Sequence, residues 1–354
     1  MNYRVNPKNG EQLSILGYGC MRFPTKGNSV DEKETEKQII SAIEQGVNYF
    51  DTAYIYHFGK SESVLGKILA KGYRDRVKIA TKLPPYMVRT AADMDKIFYT
   101  QLERLQTDRV DYYLMHMLSD LETWNRLKSL GIENWIKDKK QKGQIINLGF
   151  SYHGGKSEFL GLINDYPWDF CQIQYNFLDE NNQAGKSGLE YAASKGIPVI
   201  VMEPLRGGKI INHLPKEVND IWEDAEPKRT PVDWALRWIW NHPEVTLLLS
   251  GMSTQEQIDE NVKTASESEP NALTEAELNL FVRVKAILRS KIKVECTACG
   301  YCMPCPSGVD IPTCFSQYNE KYLIKGSSRM KYFQNTGAFS AKPSYASLCT
   351  QCGK

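Results

Sequence analysis

The sequence predicts a (β/α)8 TIM barrel with an N-terminal β-hairpin and a small cysteine-rich C-terminal tail, and three observations predict it. Short, near-continuously apolar runs recur eight times and alternate with stretches of helical periodicity, the pattern of a parallel sheet covered by helices. Eight such units over roughly 250 residues match a closed barrel. An open doubly wound sheet would instead begin on a glycine-rich phosphate loop, and no GxGxxG occurs. Finally, seven of the nine cysteines crowd between Cys296 and Cys352. A boundary is therefore expected near residue 290, with 1–290 as barrel and 291–354 as tail.

The elements follow in order. YRVNPKNGEQLSIL has two apolar stretches around Asn9-Gly10, a hairpin-turn signal. The barrel strands are expected at GYGCM (17–21), NYFDTA (48–53), VKIATKL (77–83), VDYYLMHM (110–117), INLGFSY (146–152), FCQIQYN (170–176), IPVIVMEPL (197–205) and VTLLLSG (245–251). Between them EKQIISAIEQ, SVLGKILAKG and AADMDKIFYTQLERL carry helical periodicity. Thr230 before Pro231 supplies a cap and a first-turn proline. Thr274 with Glu277 forms a capping box. Residues 206–229 read as a long loop.

Composition narrows the function classes. The chain has 354 residues, 42% hydrophobic, so a large core is available, and its formal net charge is +2. That balance, without a basic run interleaved with aromatics, argues against a nucleic-acid partner. The opening MNYRVNPKNGEQ lacks the apolar stretch of a secretory signal, and runs such as IPVIVM are too short to span a bilayer. A cytoplasmic protein without a membrane partner is expected. Clustered thiols in a reducing compartment stay free to bind metal.

Barrel enzymes place their chemistry at the carboxyl ends of the strands. Those ends carry Asp51 after the second run, Lys82 after the third and His116 after the fourth, with Tyr56 five residues beyond Asp51. Each alone has an ordinary structural role. Three ionisable residues closing consecutive apolar strands, however, point to one rim. A phenol with a pKa near 10 is a poor catalyst at neutral pH. A Lys82 ammonium would favour the phenolate, and Asp51 would hold that ammonium charged.

GVNYFDTAYIYHFGKSESVLGKIL, with ATKLP and LMHM, resembles the aldo-keto reductases, and the resemblance runs from about Leu16 to Asn261. It implies a catalytic tetrad of Asp51, Tyr56, Lys82 and His116, with Tyr56 as proton donor and His116 orienting the substrate. The implied reaction is reduction of a small-molecule carbonyl substrate to an alcohol, with hydride from NADH or NADPH. Met21, Arg22 and Asp51 match positions beside the cofactor, and Ser151 and Gln172 match those holding the carboxamide. Tyr152 stands where many members have Asn, and Met202 where many stack a tyrosine on the nicotinamide; methionine can still pack against a ring. Glu260 and Asn261 match residues at the adenine. Basic residues for a 2′-phosphate fall here on Gly251 and Gln257, which removes charge-assisted bonds and makes NADH at least as expected as NADPH. The 206–229 loop could cover the cofactor.

The tail reads CTACGYCMPCPSGVDIP, with Cys296, Cys299, Cys302 and Cys305 before Pro306, and SLCTQCGK adds Cys349 and Cys352. Paired CxxC elements with a Cys-Pro step point to a ferredoxin-like 4Fe-4S cluster, so the iron–sulfur branch of the family is expected. Structural zinc is the alternative. Cys296, Cys299 and Cys302 are the best three ligands, and Cys305, Cys349 and Cys352 compete for the fourth place. The step before Cys305 is one residue shorter than in the bacterial ferredoxin run, and the second motif reads as truncated. Cys20, Cys171 and Cys314 are expected to be buried bystanders. Two other functions compete with the reductase: a cofactor-binding regulatory module, and an electron-transfer protein with its own redox partner. Hydride carries two electrons and a cluster passes one, and no flavin motif is evident to split the pair, which favours a structural or sensing cluster.

Overall fold

The computed structural model describes the chain apart from residues 213, 295, 297–301, 324–328, 330–331, 334–335, 337–342 and 353–354. It divides into two compact units, Met1–Pro204 with Ala235–Ala272, and Leu205–Trp234 with Leu273–Lys354.

The first unit is a closed barrel of eight parallel strands: β1 (Leu16–Gly19), β2 (Tyr49–Asp51), β3 (Lys78–Leu83), β4 (Val110–Met115), β5 (Ile145–Tyr152), β6 (Phe170–Gln174), β7 (Val199–Met202) and β8 (Val245–Ser250). They neighbour one another in chain order, and β8 closes on β1 with Leu248 opposite Leu16. Every strand overlaps the apolar run that predicts it, because residues covered on both faces must be apolar throughout, but Cys20 and Met21 of the first run turn out of the strand into a short helical turn, Cys20–Arg22. The interior is filled by Tyr49, Tyr112, Phe170, Leu114, Ile200, Leu247 and Leu249. The Tyr112 ring sits 5.0 Å from both Tyr49 and Phe170, edge to face. Each such fully buried side chain contributes about 1.5–3 kcal/mol.

An N-terminal hairpin, Tyr3–Val5 paired with Gln12–Ser14, adds Leu13 to that interior. Its turn is wider than Asn9-Gly10 suggests. Asn6 N–H bonds the Glu11 carbonyl at 2.7 Å, and only Gly10 of the pair has positive φ, so the tight two-residue form is not made. The wider loop lets Glu11 accept from the Tyr112 hydroxyl (2.7 Å), while Asn6 donates to it (3.0 Å).

In the second unit, the stretch expected as a loop contains a helix, Lys216–Asp224. Val218, Ile221 and Trp222 share one face of it and are buried, a spacing that reads as one helical stripe. Trp222 stacks on Trp234 at 6.0 Å and meets Phe281 edge-on at 5.3 Å. Phe281 lies in helix Glu275–Ser290, which opens on the expected Thr274–Glu277 capping box. Arg229 pairs with Glu277 at 2.6 Å and lies 4.4 Å over the Trp234 ring. A tail helix, Ile311–Leu323, begins after Asp310, whose side chain accepts from Thr313 N–H at 3.1 Å. No helix among the described residues is long and apolar enough to cross a membrane.

Candidate active site

The apolar interior of β2 and β3 delivers two ionisable residues to the same rim. Asp51 is the last residue of β2, and Lys82 is the penultimate residue of β3. Lys82 Nζ donates to Asp51 Oδ1 and to the Thr52 carbonyl, both at 2.6 Å, in a side chain only 1% exposed. Tyr56 follows in the β2 loop, and the ammonium lies 5.0 Å from its ring centroid. His116 sits just past β4, where its N–H bonds the Leu83 carbonyl at 2.8 Å. Its ring meets Tyr56 edge-on at 6.1 Å. The four predicted residues are therefore gathered, and Thr52, which the sequence reading passed over, supplies the second acceptor for Lys82.

The electrostatics follow from burial. It works against the Lys82 ammonium, but Asp51 and Tyr56 offset it, so the lysine pKa rises above its ordinary value. Tyr56 departs from expectation: burial pushes its phenol up, and the opposing Lys82 charge does not overcome it. His116 is brought down to about 3 by burial, then by the charges of Lys82 and His153, and so is neutral at pH 7. Its Nδ1 is buried without a hydrogen-bond partner.

The expected cofactor residues lie around the rest of the rim. Ser151 and Gln172 are opposite one another on β5 and β6. Ser151 Oγ accepts from Met117 N–H at 2.8 Å. Gln172 Nε2 reaches Met202 Sδ at 3.5 Å, while its Oε1 is buried with no partner. That orphaned acceptor fits a carboxamide N–H. Beyond β8, the Arg22 stem lies across Gly251 so closely that a Cβ there would come within 2.8 Å of Arg22 Cδ. Met21 and Arg22 are both exposed. Gln257 Oε1 accepts from Ser253 N–H at 2.8 Å. Asn261 is buried and donates to Ser250 Oγ at 3.0 Å, whereas Glu260 is half-buried on the same helix, Gln255–Ser266.

In the tail, Cys296, Cys302, Cys349 and Cys352 are exposed, Cys305 is half-buried, and Cys299 lies outside the described residues. Ser307 Oγ and Thr350 Oγ1 are hydrogen-bonded at 3.0 Å, which sets the Cys305 turn beside the Cys349–Cys352 segment. Gln351 N–H donates to Cys349 Sγ at 3.4 Å. Among the described residues, no group of three or more possible metal ligands is gathered. Cys20, Cys171 and Cys314 are buried.

The sequence model of the Aldo/keto reductase family matches residues 15–277. L-galactose dehydrogenase of Arabidopsis thaliana is 26% identical over 314 residues, covering 79% of this chain and 92% of that protein. The NADH-specific methylglyoxal reductase of Escherichia coli is 24% identical over 296 residues, covering 71% and 89%. Among solved structures, the holo form of aldo-keto reductase AKR11C1 from Bacillus halodurans aligns with a TM-score of 0.67 at 25% identity, covering 80% of this chain and 96% of that one.

Proposed function

The chain belongs to the aldo/keto reductase family, and from that premise we propose that it reduces a small-molecule carbonyl to an alcohol with Tyr56 as proton donor. It is an NAD(P)H-dependent oxidoreductase. The observation that carries the finer reading is the buried Lys82–Asp51 pair at 2.6 Å beside the Tyr56 ring.

A bound nicotinamide supplies hydride for the carbonyl carbon. The protein's residues handle the other half of the reaction. A phenol is protonated at neutral pH, and burial outweighs the Lys82 charge so that Tyr56 remains so, which makes the resting form the acid that reduction needs. Once the proton passes to the carbonyl oxygen, the adjacent Lys82 charge stabilises the phenolate left behind. Asp51 keeps that lysine charged and in place. Neutral His116 orients the carbonyl and stabilises the developing alkoxide by hydrogen bonding.

Ser151 and Gln172 would hold the carboxamide, Met202 would pack against the ring, and Arg22 would meet phosphate. With Arg22 lying over Gly251, a cation reaches the region where the aligned positions lack one, so NADH and NADPH are both accommodated.

For residues 291–354 the proposal is one iron–sulfur cluster of structural or sensing role. Support comes from the CxxC spacing, from the two cysteine motifs meeting at Ser307 and Thr350, and from the N–H donated to Cys349 Sγ. Iron, sulfide and zinc analysis with an anaerobic visible spectrum should find about four irons per chain. One zinc without sulfide would overturn it.

The reductase is tested by NADH and NADPH oxidation with simple aldehydes. Tyr56→Phe should retain cofactor affinity and lose roughly 100-fold or more in turnover. Turnover within about tenfold of wild type would remove Tyr56 from the role of general acid.

A further inference from the structure

We infer that Arg104 is a positioning residue for Tyr56: with buried Glu62 it holds the left-handed turn that presents the phenol and ties that turn to the strand carrying Lys82. The inference rests on the reading of Tyr56 and Lys82 as the proton-handling pair.

The turn needs outside support. Directly after Tyr56, His57 (φ 50°) and Phe58 (φ 57°) adopt left-handed backbone, and Gly59 follows at φ 85°. Side-chain-bearing residues are disfavoured there and persist only where their surroundings over-determine them. Phe58 gives no such help, being 97% exposed. His57 stacks on Phe23 at 5.6 Å, which steadies one residue of the turn.

Arg104, in the last turn of helix Ala91–Leu105, engages both ends. Its Nη1 donates to the Tyr54 carbonyl at 3.1 Å, and the guanidinium lies 4.4 Å from the Tyr54 ring centroid. At the far end, a Cβ on Gly59 would come within 3.1 Å of the same guanidinium. Gly59 is thus required twice, for its φ and for the close approach. Tyr56 sits between the Tyr54 contact and this close approach.

Glu62 fixes the guanidinium and links it to β3. Its side chain is fully buried, and Oε2 accepts from Arg104 Nη1 at 3.1 Å. Oε1 accepts from Thr81 Oγ1 at 2.6 Å and from Gln101 Nε2 at 2.8 Å. Gln101 Nε2 also reaches the Lys82 carbonyl at 3.0 Å. One carboxylate therefore sets the Tyr56 turn against the Lys82 backbone. Loss of the guanidinium would let the phenol drift relative to the ammonium, and misplacement of about 1 Å can lower turnover by roughly 100-fold.

Arg104→Met removes the guanidinium and keeps the aliphatic stem; Arg104→Lys returns one donor; Glu62→Gln keeps the shape of the link without its charge. Each is assayed by NADH-dependent benzaldehyde reduction across pH, NADH fluorescence titration, circular dichroism and amide exchange. In Arg104→Met, kcat should fall roughly 10- to 100-fold while the aldehyde KM and NADH affinity change less than about threefold. The pH profile of kcat should shift, exchange over residues 54–59 should quicken while that over 156–165 stays unchanged, and Arg104→Lys should recover part of the loss. Glu62→Gln should move the same readouts in the same direction. Wild-type kcat and pH profile in Arg104→Met, with Tyr56→Phe inactive, would overturn the inference and leave Tyr56 as the acid. An active Tyr56→Phe would overturn the underlying reading instead. Loss of folded signal together with NADH binding would reduce Arg104 to a structural role and likewise overturn the inference.

Discussion

At the barrel rim, Lys82 Nζ meets Asp51 and the Thr52 carbonyl at 2.6 Å each in a side chain 1% exposed, whereas Cys296, Cys302, Cys349 and Cys352 of the tail stand exposed. The rim groups are gathered by strands that close a barrel whatever is bound. The tail thiols are held by short turns, through contacts such as Ser307 with Thr350 and Gln351 N–H with Cys349. The difference teaches where the order of each region comes from. Hydrophobic closure fixes the rim in advance, while a thiolate site commonly draws its order from the metal it binds.

Thiol reactivity is the largest expected contrast. Burial pushes the Cys20 and Cys171 thiols well up, so little thiolate is present and access is blocked. In metal-free protein, iodoacetamide should modify Cys349 and Cys352 faster than Cys171 by on the order of 10³-fold. Peptide mass spectrometry over time measures both. Equal rates would break the comparison, and protection of tail cysteines after iron reconstitution would sharpen it.

Breaking the rim's ion pair comes next. Lys82→Met should lower turnover on the order of 10²-fold and leave Asp51 buried without its charge partner. Removing one member of a buried pair typically costs about 3–5 kcal/mol of stability, which urea unfolding would register. A variant as stable as wild type would mean that Asp51 is protonated or solvated in the folded rim.

What was legible in the sequence follows the same division. The strand ends were readable because unbroken apolar runs stop where the barrel stops, which put Asp51, Lys82 and His116 on one rim. Two helices were missed. Val218, Ile221 and Trp222 already had helical spacing inside the supposed loop, and Asp310, with Pro312 in the second helical position, offered a cap and a first-turn proline akin to Thr230 and Pro231. Glu62, Gln101 and Arg104 were unreadable because their meaning is a set of distances across two helices and a strand. The direction of Tyr56 was misjudged for a related reason: residue types reveal the Lys82 charge but not how deeply the phenol is buried.

Cofactor choice is a smaller effect. If Arg22, lying over Gly251, meets the 2′-phosphate as proposed, it supplies one cation without the second charge-assisted clamp that a basic residue at Gln257 would add. Fluorescence titration should therefore place the NADH and NADPH dissociation constants within about tenfold of each other. Arg22→Ala should weaken NADPH more than NADH. A preference for NADPH beyond about a hundredfold would require another cation; Lys209, whose ammonium is paired with Glu320, is a poor candidate.

The last effect is a pH dependence of stability that originates in His116. In the folded rim its pKa is about 3, while the unfolded chain restores a value near 6.5. Above that value both states are neutral and the residue contributes nothing to the slope. As pH falls below it, the unfolded chain takes up a proton that the folded rim refuses, so stability declines progressively toward pH 3. Lys82 works on the alkaline side. Its raised pKa gives a contribution fully present below the ordinary lysine value and lost as pH climbs past the folded one. Thermal midpoints at about pH 7 and about pH 4.5 isolate the acid limb, because His116→Gln removes the titrating ring and should fall less steeply than wild type. If the two proteins lose the same midpoint over that interval, His116 takes up its proton in the folded rim as readily as in the unfolded chain. The rim would then admit the imidazolium as well as the neutral ring, and below about pH 6.5 the carbonyl would meet mostly the charged form.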